Sequence, residues 1–85
     1  MQVLIEIKER DTHFQGIVTF PNFLNNEVEE ILGPERKNID WIVKESAYKG
    51  YLDVSASFPS VRKASKWTNK ISDQICLVKS MIDDI

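Results

Sequence analysis

Four stretches of the chain alternate apolar and polar residues in the way that half-buried β-strands do. They cover residues 2–8, 13–20, 39–45 and 51–58. The alternation gives each stretch one face that is almost wholly apolar and one that is mostly polar. Short polar segments, "ERDT" and "SAYKG", follow the first and third stretches. The pattern therefore predicts two pairs of strands, each pair joined by a turn.

Two further stretches repeat apolar residues every three or four positions, which is the period of an amphipathic helix. In the first, after Pro21, these residues are Leu24, Val28, Ile31 and Leu32. Gly33 in a left-handed conformation, followed by Pro34, is predicted to end this helix. In the second, after Pro59, the inward positions are Val61, Ala64, Trp67, Thr68, Ile71, Ile75, Val78, Ile82 and Ile85. This spacing predicts a helix of about 25 residues, or about 37 Å.

The order of these elements, ββαββα, predicts one small α+β domain over residues 1–85. We expect a four-stranded, mainly antiparallel sheet with both helices on its apolar face and a long C-terminal helix. The predicted core face consists of Val3, Ile5, Ile7, Phe14, Gly16, Val18, Phe20, Ile39, Trp41, Val43, Leu52, Val54, Ala56 and Phe58. The opposite, mostly polar face is expected to meet water.

Two similar strings, "TFPNF" at residues 19–23 and "SFPSV" at residues 57–61, fall where a predicted strand meets a predicted helix. Proline removes a backbone donor and ends a strand ladder, and the residue before it is held in an extended conformation. Asn22 and Ser60 follow, and both residue types are good helix N-caps. We interpret the strings as structural joints; internal duplication and independent use of the same joint both remain open.

The polar sheet face also carries four apolar side chains, one on each strand. They are Leu4, Ile17, Ile42 and Tyr51. Single exposed apolar side chains are ordinary and pair across strands. An apolar centre with a charged rim is also typical of a protein-binding or dimer interface. We therefore treat these four residues as a candidate partner-binding patch.

The first half of the long helix carries a basic cluster, Arg62, Lys63, Lys66 and Lys70, whereas Asp73, Asp83 and Asp84 occupy its second half. This distribution opposes the helix macrodipole, which favours acidic residues near the N-terminal end. The cluster is either a solvated, screened surface or an electrostatic site for an acidic protein or a phosphate backbone. Trp67, at the edge of the apolar stripe, is expected in the core and not as a stacking platform.

Residues with obvious chemistry are few. The single histidine, His13, has no partners at ligand spacing, and the single cysteine, Cys76, has no activating base beside it. The three glycines are too scattered for a phosphate-binding loop. We therefore expect no enzymatic activity, no metal and no cofactor. One cysteine also fits a reducing compartment such as the cytoplasm.

The predicted first helix is acidic, with "EVEEILG" at residues 27–33. The segments "NEVEEILG" and "DWIVKESAY" resemble part of the small uracil-DNA glycosylase inhibitor, a protein that imitates DNA. The two N-terminal strands and the long C-terminal helix depart from that pattern. The chain is therefore not assigned to that family on this likeness.

Composition is that of a globular protein, with 42% hydrophobic and 28% charged residues and a net charge of −2. No apolar run reaches the ~20 residues that cross a bilayer, so no membrane association is expected. We predict a protein that binds one macromolecular, protein partner and inhibits or neutralises it, as phage- or plasmid-encoded inhibitors and toxin-immunity proteins do. The alternative is a nucleic-acid-binding or assembly module that uses the basic cluster. A homodimer is possible in either case.

Overall fold

The structure, a computed structural model, describes residues 3–34 and 38–83, with side chains described as far as residue 80. The strands are β1 Leu4–Glu9, β2 Phe14–Pro21, β3 Ile42–Glu45 and β4 Tyr51–Phe58. The helices are α1 Asn25–Leu32, which follows a 3-10 turn at Asn22–Leu24, and α2 Val61–Asp83. The predicted ββαββα order is confirmed.

The four strands form one antiparallel sheet in the order β1-β2-β4-β3. The two central strands, β2 and β4, pair along their whole length from Phe14↔Phe58 to Pro21↔Tyr51. β1 and β3 are therefore the edge strands. The register places Ile5 opposite Val18 and Val43 opposite Val54, so the predicted apolar face is continuous across all four strands.

The hydrophobic core lies between this face and the two helices. Its buried members are Val18, Phe20, Leu24, Val28, Leu32, Trp41, Val54, Ala56, Phe58, Ala64, Trp67, Ile71 and Ile75. Both helices and both central strands contribute to this cluster, which confirms the predicted α+β architecture with the helices on one face. Trp67 is among the buried residues, as predicted.

Gly16, in the middle of β2, lies directly beneath α2. A Cβ atom at this position would be 2.8 Å from the Thr68 Cγ2 atom and 3.4 Å from ring atoms of Phe58 and Trp67. Thr68 is fully buried there, and its hydroxyl donates a hydrogen bond of 3.0 Å to the Ser65 carbonyl. The missing side chain therefore lets the helix approach the sheet closely.

The two Phe-Pro joints differ in structure. At the second, the Ser60 Oγ atom accepts a hydrogen bond of 3.2 Å from the Lys63 amide, which confirms Ser60 as a helix cap. At the first, Pro21 remains in β2 and the Asn22 amide donates to the Gly50 carbonyl at 2.9 Å. No side chain caps the 3-10 turn or α1, so the prediction that Asn22 caps a helix is wrong.

The end of α1 also differs from the prediction. Gly33 has φ −50° and ψ −49°, a right-handed conformation, so the predicted left-handed stop is wrong. The Trp41 indole Nε1 instead donates a hydrogen bond of 3.1 Å to the Leu32 carbonyl. Since the last carbonyls of a helix have no partner within the helix, this bond satisfies one of them inside the core.

Several element boundaries move by one to three residues from those predicted. β3 begins at Ile42, not at residue 39, and His13 precedes β2 in the turn after β1. α2 has 23 residues as far as Asp83. The predicted helical positions 84 and 85, including Asp84, lie outside the described residues.

Candidate functional site

The basic cluster lies on the exposed side of the first half of α2. Arg62, Lys63, Lys66 and Lys70 are all exposed, while Ala64, Thr68 and Ile71 of the same turns are buried in the core. The helical period separates the two sets because residues three or four apart share a face. The spacing of the lysines in the sequence therefore places them on the solvent-exposed side of α2.

Three of the four basic residues line a surface groove of about 340 Å³. The groove is lined by Lys63, Lys66 and Lys70 together with Ile39, Phe58 and Trp67. It lies where α2 passes the end of β4 and the segment that leads into β3. Arg62 is exposed on the same helical turn but is not a lining residue. We call this feature the lysine groove.

The apolar floor of the lysine groove belongs to the core. Phe58 and Trp67 are only 9% and 4% exposed, and their ring centroids lie 5.4 Å apart with a tilt of 44° between the planes. Ile39 is half-buried and packs against the same cluster. The rings therefore offer edges and an apolar wall to a ligand, with little free ring surface for stacking.

The short helix α1 contributes no residue to the lining of the lysine groove. α1 has eight residues and spans about 12 Å, whereas the eight residues of β4 span about 26 Å. α1 ends where the Leu32 carbonyl meets the Trp41 indole, and the chain then reaches β3 through Ile39. Among the described residues that line the groove beside Phe58, the helical ones all belong to α2.

The electrostatics of the lysine groove favour an anionic ligand with an apolar part. Lysine side chains commonly lay their methylene stems along an apolar surface and keep the ammonium group in water. At i, i+3 and i+7 on α2, the three ammonium groups extend over about 10 Å of helix. The floor can bury an apolar group, and the rim can pair with carboxylates or phosphates.

The four apolar residues predicted as a sheet patch share the open face but do not form one exposed patch. Leu4 and Ile42 are 38% and 47% exposed, but they lie on opposite edge strands, about 14 Å or more apart. Ile17 is only 8% exposed, and Tyr51 is half-buried at the start of β4. The centre of this face is polar, because the Thr19 hydroxyl donates a 2.6 Å hydrogen bond to Asp53.

Tyr48, in the turn between β3 and β4, was not among the residues singled out from the sequence. It is 61% exposed and lines a shallow cleft of about 310 Å³ with Leu4, Ile5 and Thr19. A turn residue has no strand parity, so no sequence pattern indicates the sheet face to which its ring turns. Tyr48 therefore adds apolar surface to the open face near Leu4, which the strand pattern alone does not predict.

The residues with potential chemistry lie apart. Cys76 is an exposed free thiol on α2, and His13 is half-buried in the turn before β2, where its Nδ1 atom is 3.3 Å from the Thr12 hydroxyl. Among the described side chains, those of residues 3–34 and 38–80, no three His, Cys, Asp or Glu are placed to share a metal ion. Within the same ranges, no helix has the length and apolar character needed to span a bilayer.

Comparison with protein-family models, with curated proteins and with solved structures gave no match to this chain. The likeness to the uracil-DNA glycosylase inhibitor receives no support from these comparisons. The lysine groove and the surfaces of the sheet are the features of the molecule that bear on its function.

Proposed function

We propose that this protein is a small, non-enzymatic cytoplasmic binding protein that recognises one protein partner and inhibits or neutralises it. The observation that carries the proposal is the lysine groove, in which three lysines converge around an apolar floor. An apolar concave surface with a few polar groups around it is typical of a binding site, whereas a merely solvated helix face has no floor.

The proposed occupant is an acidic segment of the partner that inserts one apolar side chain between Lys63 and Lys66. The volume of about 340 Å³ suits a single large side chain and the backbone around it. Carboxylates on either side of that side chain would pair with the ammonium groups at the rim. The buried apolar anchor supplies affinity, and the charge pairs supply association rate and orientation.

The small size of the domain is compatible with inhibition or neutralisation of the partner. A standard interface buries about 800 Å² on each partner, and the accessible surface of this chain is 5855 Å². One such contact therefore covers about a seventh of the surface. A domain of this size acts on a partner chiefly by occluding the partner's surface, as phage- or plasmid-encoded inhibitors and immunity proteins do.

Nucleic acid is the competing ligand class, and the observations favour it less. Base stacking needs open aromatic faces, whereas Trp67 is 4% exposed. A phosphate backbone also needs a long basic track. The chain carries a net charge of −2, and Glu29 and Glu30 are exposed on α1. The three lysines suit a short acidic segment better than an extended polyanion.

A pull-down from the native host with the tagged full-length chain tests the proposal. We expect one protein in stoichiometric amount and a complex that weakens as salt is raised, because the rim charges are exposed. The double variant Lys63→Gln, Lys66→Gln should weaken binding of the purified partner by about tenfold or more. The matched variant Lys44→Gln, Lys49→Gln loses the same charge elsewhere and should bind as the wild type does.

Two outcomes would count against this function. Equal loss of binding in both double variants would show that net charge, and not the lysine groove, controls recognition. A salt-dependent mobility shift with DNA or RNA, without any stoichiometric protein partner, would support the nucleic-acid module instead.

A further inference from the structure

The edge strand β1 presents a second surface, on the side of the sheet away from β3. β1 is the first strand in the order β1-β2-β4-β3, so β2 occupies one of its edges and, among the described residues, no strand occupies the other. An exposed strand edge carries a row of backbone donors and acceptors that can pair with another strand. Natural proteins usually cover or disrupt such an edge unless it is used.

Apolar side chains are exposed on both faces of β1. Leu4 lies opposite Thr19 on the open face and is 38% exposed; Ile5 lies opposite Val18 on the helix-covered face and is 41% exposed. Ile5 is exposed although it shares the core face of the sheet. The helix layer therefore does not fully cover this edge, and apolar surface remains there that another strand and its side chains could bury.

The charges on β1 specify which strand fits this edge. Glu6 and Lys8 lie two residues apart on the open face, with 3.9 Å between the Lys8 Nζ and Glu6 Oε1 atoms. Suppose that a second copy of β1 pairs antiparallel, with a two-fold axis through Ile7. Glu6 of each copy then lies opposite Lys8 of the other copy, which gives two cross-strand charge pairs.

Neighbouring registers do not have this complementarity. A two-fold axis through Glu6 places the two glutamates opposite each other, and an axis through Lys8 places the two lysines opposite each other. Like charges directly opposite are destabilising in a sheet. With the axis through Ile7, the two Ile7 side chains lie opposite each other on the helix side, and each Ile5 lies opposite Glu9 of the other copy. Both sets of helices lie on that same side, because the axis is perpendicular to the sheet.

We propose that this protein forms a symmetric homodimer by antiparallel pairing of β1 with β1 of a second copy, centred on Ile7 and fixed in register by reciprocal Glu6–Lys8 pairs. The dimer has one continuous sheet across both copies. The lysine groove lies at the opposite side of the sheet, next to the segment that leads into β3. Dimerisation thus leaves the groove free, and each dimer presents two grooves. The inference does not depend on the proposed function.

A charge-swap series with the full-length chain tests the dimer. The molar mass is measured by sedimentation equilibrium across concentrations from about 1 μM to about 1 mM, the range of ordinary dimer affinities. Lys8→Glu and Glu6→Lys each convert two attractive pairs into two repulsive ones. Each should therefore weaken dimerisation by about tenfold or more. The double variant Glu6→Lys, Lys8→Glu restores both pairs and should dimerise as the wild type does.

Lys49→Glu, an equal charge reversal in the exposed turn between β3 and β4, is the matched control and should leave the dimer unchanged. Circular dichroism of each variant shows that the fold is kept, and the two single reversals check each other if one of them unfolds. A wild-type chain that stays monomeric over the whole range overturns the proposal. So does a dimer whose affinity is unchanged by the single charge reversals, or is not restored in the double variant.

Discussion

Replacing Gly16 by alanine tests the close approach of α2 to the sheet. The added Cβ atom would lie 2.8 Å from Thr68 Cγ2 and 3.4 Å from both Phe58 and Trp67. Carbon atoms pack best about 3.5–4.0 Å apart, so at least one group has to move. Overpacking of a core costs about 1–3 kcal/mol. Alanine also lowers the conformational entropy of the unfolded chain, which stabilises the folded state by about 0.4–1 kcal/mol. The midpoints of these two ranges, about 2 and about 0.7 kcal/mol, leave a net destabilisation of about 1–2 kcal/mol.

Thermal unfolding followed by circular dichroism measures this effect. A change of 1 kcal/mol shifts the Tm of a domain of this size by about 4–8 °C, so Gly16→Ala should lower the Tm by roughly 5–15 °C. Gly33→Ala is the matched control, because a Cβ atom there meets nothing within 4 Å and the backbone is right-handed helical. The control should unfold at the wild-type temperature or a few degrees above it.

A second substitution identifies the clash. Thr68→Ser removes the Cγ2 atom but keeps the hydroxyl that donates to Ser65. In the double variant with Gly16→Ala, the loss should be smaller than the sum of the two single losses, by about 0.5 kcal/mol or more. Strictly additive losses, or a Gly16→Ala variant as stable as the control, would refute the packing of α2 on Gly16.

Four further substitutions test local hydrogen bonds and one backbone conformation. Trp41→Phe leaves the buried Leu32 carbonyl without its donor and should cost about 1–3 kcal/mol in urea unfolding; a loss below that range contradicts the bond. Ser60→Ala should cost about 0.5–2 kcal/mol, and Asn22→Ala clearly less, because only Ser60 caps a helix; equal Tm losses would show that the two joints are alike. Gly50→Ala should cost about 1–2 kcal/mol, because Gly50 has φ +84°; an unchanged denaturation midpoint would contradict this conformation.

The architecture could be predicted from the sequence because strand parity does not depend on the rest of the fold. Once Val18 and Phe20 are assigned to the core side of one strand, alternate residues must follow them. Parity does not fix the register at which Val54 meets Val18, because these two strands are distant in sequence. The paired faces and the long amphipathic helix were therefore predictable as a set. The predicted inward positions Ile5 and Val61 are wrong, because these side chains are 41% and 53% exposed.

The difference between the two Phe-Pro joints could not be predicted from their own residues. Asn22 and Ser60 follow the same dipeptide and have similar capping ability. The Asn22 amide, however, donates to Gly50, which lies in the turn before β4, and Pro21 stays paired with Tyr51. A partner about thirty residues away in the chain thus sets the path of the first joint, and no local pattern reports it.

The exposure of the predicted sheet-patch residues is a second property that strand parity does not predict. Parity correctly placed Ile17 and Ile42 on the open face, but it does not report how neighbouring strands enclose a side chain. Ile17 lies on a central strand and is 8% exposed, whereas Ile42 lies on an edge strand and is 47% exposed. Strand order decides this difference, and strand order depends on contacts that are distant in sequence.

The lysine groove combines a predictable part with an unpredictable one. The positions of Lys63, Lys66 and Lys70 follow from the helical period, so their common face was expected. The apolar floor beside them is formed by Ile39, Phe58 and Trp67, which come from three separate parts of the chain. The charge at this site is therefore set by the sequence of α2, whereas the groove depends on contacts between segments that are distant in sequence.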